Sequence, residues 1–446
     1  MFNVIRNLAT AVGRRNGRTN SKKSKPKFMK KQKLKVLPIY KYPTSKPGTH
    51  RVYVWGLQEH GALGTVKRIS FAEESVAYAG FPHRLSFGEY NDVTDIATGY
   101  GFTAFAVKSK DHKIVYGSGI NSDSQLGYHP KDEKLKIPIV NEPRPVFIPL
   151  KNKTTKVLGL AAGRAHLLIL TDEGLYTVGN NGYGQCGRPI IINENYLKSR
   201  AIHFIPDMKG VKMRSVTAGQ DHSMVVTEKG EVYAFGWGAD GQTGLAHYRN
   251  EYKPSLVKGD LAGENIVKLT CTADCVLALS DKGTVFGWGN SEYSQLPAIG
   301  DSQQINIATE IKMCSGLGQI VDIASGGSFC MVLNNEGDVF VWGYGILGLG
   351  PEVQSVRKPT LIPKTLFGVN AFEPNTKVIK IFSGINQLGA LTNQGNLYMW
   401  GRNKYGALGL GHRKDQYFPL KVSIGAIVQK ISCGVDHTVS LCKPYI

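Results

Sequence analysis

The sequence predicts an all-β protein, a seven-bladed β-propeller in which the N-terminal strand completes the C-terminal blade. Three observations predict it. A short strand ending in glycine recurs at Gly56, Gly119, Gly179, Gly236, Gly289, Gly343 and Gly401, with spacings of 63, 60, 57, 53, 54 and 58 residues. A second signature, glycine followed three residues later by histidine or a substitute, alternates with the first. One copy of each stands unpaired, and they lie at opposite ends of the array. A repeat of this length marks a solenoid or a propeller.

The first signature is an apolar strand with a bulky residue before its glycine. It reads "VYVWG" at Val52–Gly56, "VFGWG" at Val285–Gly289, "VFVWG" at Val339–Gly343 and "LYMWG" at Leu397–Gly401. Weaker copies are "VYGSG" at Val115–Gly119 and "LYTVG" at Leu175–Gly179. The second signature reads "GRAH" at Gly163–His166, "GQDH" at Gly219–His222, "GGSF" at Gly326–Phe329, "GINQ" at Gly384–Gln387 and "GVDH" at Gly434–His437. "GYGF" at Gly99–Phe102 and "TADC" at Thr272–Cys275 are degenerate copies. Polar turns ending in glycine separate the two, such as "TDEG" from Thr171 and "TEKG" from Thr227. Four polar residues between apolar strands read as a β-hairpin. The unit is therefore strand, hairpin, strand and a glycine-punctuated loop.

The loop carries its own register. Counting from the strand-ending glycine, further glycines fall at +5 and +8, as in Gly56, Gly61 and Gly64 or Gly401, Gly406 and Gly409. This register decides the ambiguous stretch "AFGWGADGQTG" at 234–244. Gly236 leads to Gly241 and Gly244, whereas Gly238 leads to Thr243 and Ala246. Phe235-Gly236 is the repeat position, and Trp237 reads as an addition to it.

The unpaired copies argue for closure. Gly56 has no histidine-type partner before it, and His437 has no strand-glycine partner after it. A ring that joins the two halves leaves no exposed sheet edge in the last blade, as an open solenoid would. Both faces of strands such as Val339–Trp342 are apolar, which fits burial between adjacent blades. The ring takes residues 49–446 and leaves residues 1–48 as a separate arm.

That arm is chemically distinct. Residues 1–50 hold fourteen Lys or Arg and no acid, while the rest carries 40 basic against 34 acidic residues. "MFNVIRNLATAVGRRNGRT" places Phe2, Val4, Ile5, Leu8 and Val12 on one helical face flanked by arginines, the composition of a mitochondrial transit peptide. A nuclear localisation signal over Lys22–Lys35 and a solvated arm are the competing readings. If the arm persists, Lys22, Lys23, Lys25, Lys30 and Lys31 are the residues suited to a phosphate backbone. Seven sparse cysteines point to reduced thiols, and no apolar run is long enough for a spanning helix.

Together the histidine-type strand, the hairpin, the Trp-Gly end and the glycine loop resemble the regulator of chromosome condensation repeat. "GRAHLLILTDEGLYTVGNNGYGQCG" and "WGRNKYGALGLG" carry the likeness, which spans about nine-tenths of the chain. It departs at Ser118, which stands where tryptophan is usual, at Thr272–Cys275, and at Ser294 and Pro297. The resemblance implies the propeller fold. It also implies regulation of a small GTPase, because the founding member is a guanine-nucleotide exchange factor that inserts a wedge from one blade. With the transit-like start, the resemblance is to a mitochondrial branch associated with GTPase regulation, membrane fusion and mitochondrial ribosome assembly. No wedge is identifiable by spacing.

Other chemistry is not expected. His166, His222 and His437 occupy equivalent repeat positions, so they spread around the axis and do not converge on a metal or a catalytic centre. They are expected to bond backbone groups in the strand region. The loops at Gly345–Gly350 and Gly406–Gly411 open no helix and lack a GK[ST] ending, so they are not phosphate loops. Neither a cofactor nor covalent catalysis is expected. Trp55, Trp288, Trp342 and Trp400 read as core wedges. Function then belongs to the loops. The longest are Leu57–Asp95, Asn121–Thr155 and Leu349–Thr376, with Lys134, Lys136, Arg144 and the added Trp237 as candidate partner or RNA contacts. The expected partners are a GTP-binding protein and a mitochondrial ribosomal subunit or rRNA. The expected setting is the matrix, peripheral to the inner membrane, with the protein a monomer. The alternative is a structural adaptor without exchange activity.

Overall fold

Each polar turn folds one apolar strand back on another. In "TEKG" the turn glycine Gly230 adopts φ +80°, and His222–Thr227 pairs antiparallel with Val232–Gly236 in the register His222↔Gly236 to Val226↔Val232. The computed structural model describes residues 50–65, 77–109, 111–129, 138–296 and 302–445. It forms seven four-stranded antiparallel sheets. The predicted seven-bladed propeller is the observed fold.

Blades 1 to 6 are contiguous in sequence, and each runs from its inner to its outer strand. Blade 1 comprises Val93–Thr98, Phe102–Val107, Val115–Ile120 and Ile139–Pro145; blade 2 Val157–Ala162, His166–Thr171, Gly174–Gly179 and Ile202–Ile205; blade 3 Met213–Ala218, His222–Thr227, Val232–Gly236 and Glu251–Leu256. Blade 4 comprises Ile266–Thr270, Cys275–Ser280, Val285–Asn290 and Gln304–Glu310; blade 5 Ile320–Ser325, Phe329–Asn334, Val339–Tyr344 and Ser355–Ile362; blade 6 Val378–Ser383, Gln387–Thr392, Leu397–Gly401 and Gln416–Lys421. Blade 7 closes the ring. Its inner strands Ile427–Cys433 and His437–Lys443 come from the C-terminal end, and its outer strands Arg51–Leu57 and Tyr78–Arg84 from the N-terminal end. The seam is the register Arg51↔Cys442 through Gly56↔His437. Two early strands complete this blade, where the sequence indicated one.

The sequence pattern revealed only the middle two strands of each blade. The outer strands escape because they alternate weakly and carry prolines: Pro143, Pro254, Pro359 and Pro419 all lie within them. Proline is tolerated there because an edge strand leaves N–H groups unpaired. As a result the three long segments read as loops are partly strand. They contain Tyr78–Arg84, Ile139–Pro145 and Ser355–Ile362 respectively.

The loop glycines hold the blades together. All seven strand-ending glycines have φ between +96° and +112°, a region closed to other residues without strain. In blade 3, a Cβ on Gly236 would lie 2.6 Å from the Asp221 carbonyl oxygen. One on Gly241 would lie 2.6 Å from the Ile305 carbonyl oxygen in the outer strand of blade 4, and one on Gly244 3.0 Å from the Trp288 indole nitrogen. The three positions thus seat the blade's own turn, the next blade's edge and the next blade's tryptophan. In blade 5, Gly348 lies at +5 in sequence, yet it occupies the tryptophan seat, 2.7 Å from the Trp400 indole nitrogen by the same measure. That loop reaches the seat three residues early.

Straps cross between inner strands as well. Asp95 of blade 1 accepts from Lys430 of blade 7 at 2.5 Å and from the Leu160 backbone N–H of blade 2 at 2.9 Å. Asp322 of blade 5 repeats this with Lys268 of blade 4 and the Ile381 N–H of blade 6. Inner-strand residues also line a central channel. The inner–second turns and third–outer loops share one end of it, the loop face. The hairpins and blade-to-blade connections share the other, the hairpin face.

Candidate interaction surface

The three repeat histidines are buried, with 0 to 1% exposure. Each ring folds over its own signature glycine: a Cβ at Gly163 would lie 2.2 Å from His166 Cε1. Side chains of the next blade meet all three, and the His166 and His437 rings also hydrogen-bond backbone there, at His222 and Phe102. His166 Nε2 meets Ser223 Oγ at 3.0 Å, His437 Nε2 meets Thr103 Oγ1 at 2.9 Å, and His222 Nε2 meets Cys271 Sγ at 3.3 Å. Burial lowers the pKa of all three to about 3, so they are neutral. In the degenerate copy Thr272 brings a side chain where the other copies have glycine, and Cys275 is small where the others are bulky.

Trp55, Trp288, Trp342 and Trp400 are fully buried. The first three donate from Nε1 to loop carbonyls of the preceding blade, at Ala407, Gln242 and Gln295. Trp237 lies on the loop face, half-buried, with its ring edge-on to Tyr183 at 4.5 Å. It is not an addition to the repeat. It stands at +1 from Gly236, and Tyr183 stands at +4 from Gly179. The same two positions bring together Tyr293 and Tyr344 at 5.5 Å, and Asp123 and Asn180 at 2.7 Å. The pairs are inter-blade clasps, visible only when adjacent copies are aligned.

Lys22, Lys23, Lys25, Lys30, Lys31, Lys134 and Lys136 lie outside the described residues. Arg144 belongs to the outer strand of blade 1, opposite Gly117. Of the candidates only Arg144 and Trp237 fall among the described residues, and they belong to different blades.

A different feature stands out on the loop face. Ile190, Ile191 and Ile192 of blade 2 are 40, 58 and 86% exposed. Consecutive β-branched aliphatics in solvent are unfavourable unless they are covered at some stage. The turn that carries them is anchored. Arg188 and Glu194, at its base, pair at 2.6 Å with side chains only 11 and 12% exposed. Asn181 Nδ2 donates to the Arg188 and Pro189 carbonyls at 3.1 and 3.2 Å. Asn193 closes the turn at φ +59°, and Ser124 of the neighbouring blade holds the Leu197 carbonyl at 3.1 Å. The signal "PIII" between polar residues was present in the sequence but falls outside the repeat register.

Arg164 pairs with Asp221 at 2.7 Å, and Gln242 Nε2 donates to Asp274 at 3.0 Å. Burial, with smaller contributions from the Asp240 and Asp221 charges, raises the Asp274 pKa to about 6. Tyr100 is pushed up by burial and by the Asp274 and Asp221 charges. Among the described residues no His, Cys, Asp or Glu group could hold a metal ion. Every cysteine is unpaired, and burial raises the thiols of Cys186, Cys314, Cys433 and Cys442 to about 12.

The sequence matches the Regulator of chromosome condensation (RCC1) repeat at residues 49–106, 172–226, 229–279, 282–333 and 394–441. The chain belongs to the RCC1 repeat family. Among its RCC1 relatives is the RCC1-like G exchanging factor-like protein of Mus musculus, 45% identical over 92% of this chain and 91% of that protein. The crystal structure of human WBSCR16 superposes with a TM-score of 0.83 at 45% identity, covering 89% of this chain and 100% of the other. Prp20p of Saccharomyces cerevisiae, studied for binding to Gsp1p and histones, shares the RCC1 fold with a TM-score of 0.71 at 18% identity, over 90 and 93% of the two chains.

Proposed function

We propose that this RCC1-repeat protein is a non-catalytic regulator of a GTPase, of the guanine-nucleotide exchange type, and that the Ile190–Ile192 turn is its contact element. The observation that supports the reading is an exposed aliphatic turn held on an almost buried ion pair. Such an element suits the wedge role that the family resemblance implies, because it keeps its shape while it displaces a partner's own contacts. The name of the 45%-identical mouse relative points the same way. No covalent chemistry is required of the propeller.

The test is release of labelled GDP from mitochondrial GTPases with the full chain present. Faster release with the natural protein, and release at the uncatalysed rate with Ile191→Asp/Ile192→Asp, is the expected result. Unchanged release with the natural protein refutes exchange activity. Equal acceleration by the variant refutes the turn as the contact.

A second reading rests on the fourteen basic and no acidic residues before position 51. In this reading the protein acts in the mitochondrial matrix, beside the inner membrane, on a ribosomal subunit or its rRNA. Absence of the protein from subunit fractions of sedimented mitochondrial lysate counts against it. A fluorescent protein fused behind residues 1–48 tests the import step.

A further inference from the structure

The channel mouth on the hairpin face opens into a cavity of about 720 Å³. This is the size of a small-molecule site. Its wall is largely aliphatic, and Val321 and Ile379 are 46 and 45% exposed there among the described residues. The charges in the same annulus do not balance. Lys268, Lys380 and Lys430 line the cavity, and two carboxylates, Asp322 and Asp95, answer them. Each carboxylate is already committed to one lysine and to a backbone N–H of the next blade. Lys268 and Lys430 are the lysines they hold. Among the described residues Lys380, which is exposed, is left without a carboxylate, on the strand position next to Ile379.

We propose that this cavity binds a free amphiphilic anion, an aliphatic body ending in one carboxylate. The aliphatic wall takes the body and Lys380 takes the head. The arrangement favours an anion for two reasons. A lone ammonium at the mouth of a half-enclosed, low-dielectric concavity attracts a counter-charge more strongly than one on open surface. And Val321 and Ile379 gain by leaving water only if the anion carries apolar surface. A bare inorganic anion satisfies the first condition alone, a neutral apolar molecule the second alone.

Titration calorimetry of the full chain with laurate, below its micelle concentration, tests the assignment. Saturable binding is expected. Lys380→Glu should weaken it by about tenfold or more, the scale of one ion pair in a partly buried setting. Ile379→Ser should weaken it too, and Lys358→Glu, on an exposed outer strand, should leave it unchanged. Butyrate and dodecanol, which each lack one half of the ligand, should bind much more weakly. No saturable laurate binding overturns the proposal. So does equal affinity in Lys380→Glu, or dodecanol binding as tight as laurate. Among the described residues Lys380 makes no ion pair, and Lys380→Gln provides a milder variant should the charge reversal fail to fold.

Discussion

His166 Nε2 lies 3.0 Å from Ser223 Oγ on the next blade, and the Ser223 hydroxyl donates to the Gln185 carbonyl at 2.7 Å. The serine proton is therefore committed, so the histidine must donate from Nε2. Its Nδ1 is buried without a partner. His437, Thr103 and the Ala62 carbonyl repeat the chain of contacts at 2.9 and 2.8 Å. A neutral ring is thus built into these two blade interfaces, whereas His222 Nδ1 has the Asp274 carboxylate 3.9 Å away.

Acid sensitivity follows from that arrangement. The folded pKa of each histidine, about 3, lies below its ordinary 6.5. A depressed pKa contributes stability that is present above pH 6.5 and is lost as pH falls toward 3. Each ring can remove up to about 1.4 kcal/mol per pH unit in this range. Denaturant midpoints should therefore fall steadily from pH 6.5 to 4.5. His166→Gln copies blade 6, where Gln387 fills the same place and its Nε2 donates to the Val435 carbonyl at 2.9 Å. That variant should fold and should lose part of the slope. An unchanged slope would show that His166 titrates normally.

Asp274 works in the opposite direction. Its folded pKa of about 6 lies above the ordinary 3.8, so it stabilises below pH 3.8 and loses that contribution as pH rises through 6. At pH 7.5 the ionised carboxylate is a net cost of at most about 2 kcal/mol, discounted because its side chain is 23% exposed. Asp274→Asn keeps an acceptor for Gln242 and removes the charge. The variant should melt at higher temperature at pH 7.5 and match the natural protein near pH 4. Lower stability at pH 7.5 would mean that the carboxylate is stabilised by its neighbours.

Legibility followed the physical rigidity of each constraint. Gly236 was readable because φ +112° and contact with the Asp221 carbonyl leave no alternative to glycine. Ring closure was readable because an unpaired half-blade is costly. Outer strands such as Glu251–Leu256 were not, since half-exposed edges accept lysine, serine and proline alike. Trp237 was misread because its partner, Tyr183, belongs to another copy. The Ile190–Ile192 turn obeys no repeat rule, so no register pointed to it.

The glycine–histidine pairing can be tested by exchange between blades. A Cβ at Gly163 lies 2.2 Å from the His166 ring, so Gly163→Thr alone must displace a buried side chain. A cost of about 2 kcal/mol or more is expected from overpacking of this kind. Gly163→Thr/His166→Cys reproduces Thr272 and Cys275 of blade 4 and should recover part of that loss. A double-mutant cycle of urea midpoints should give a favourable coupling of about 1 kcal/mol or more. Simple additivity would show that the two positions are independent.

The tryptophan seats differ in one bond, and that difference predicts an order of stability. Trp288 Nε1 donates to the Gln242 carbonyl at 2.9 Å, at +6 in its loop. Trp400 Nε1 is buried without an acceptor, because the shorter loop of blade 5 brings Gly348 under the indole early. Phenylalanine already fills the seat in blade 3, where Phe235 is fully buried. Trp288→Phe and Trp400→Phe lose similar volume, but only the first leaves a buried carbonyl unpaired, a penalty of about 1–3 kcal/mol. Trp288→Phe should therefore have the lower urea midpoint. Equal midpoints, or the reverse order, would show that packing under the indole outweighs the bond.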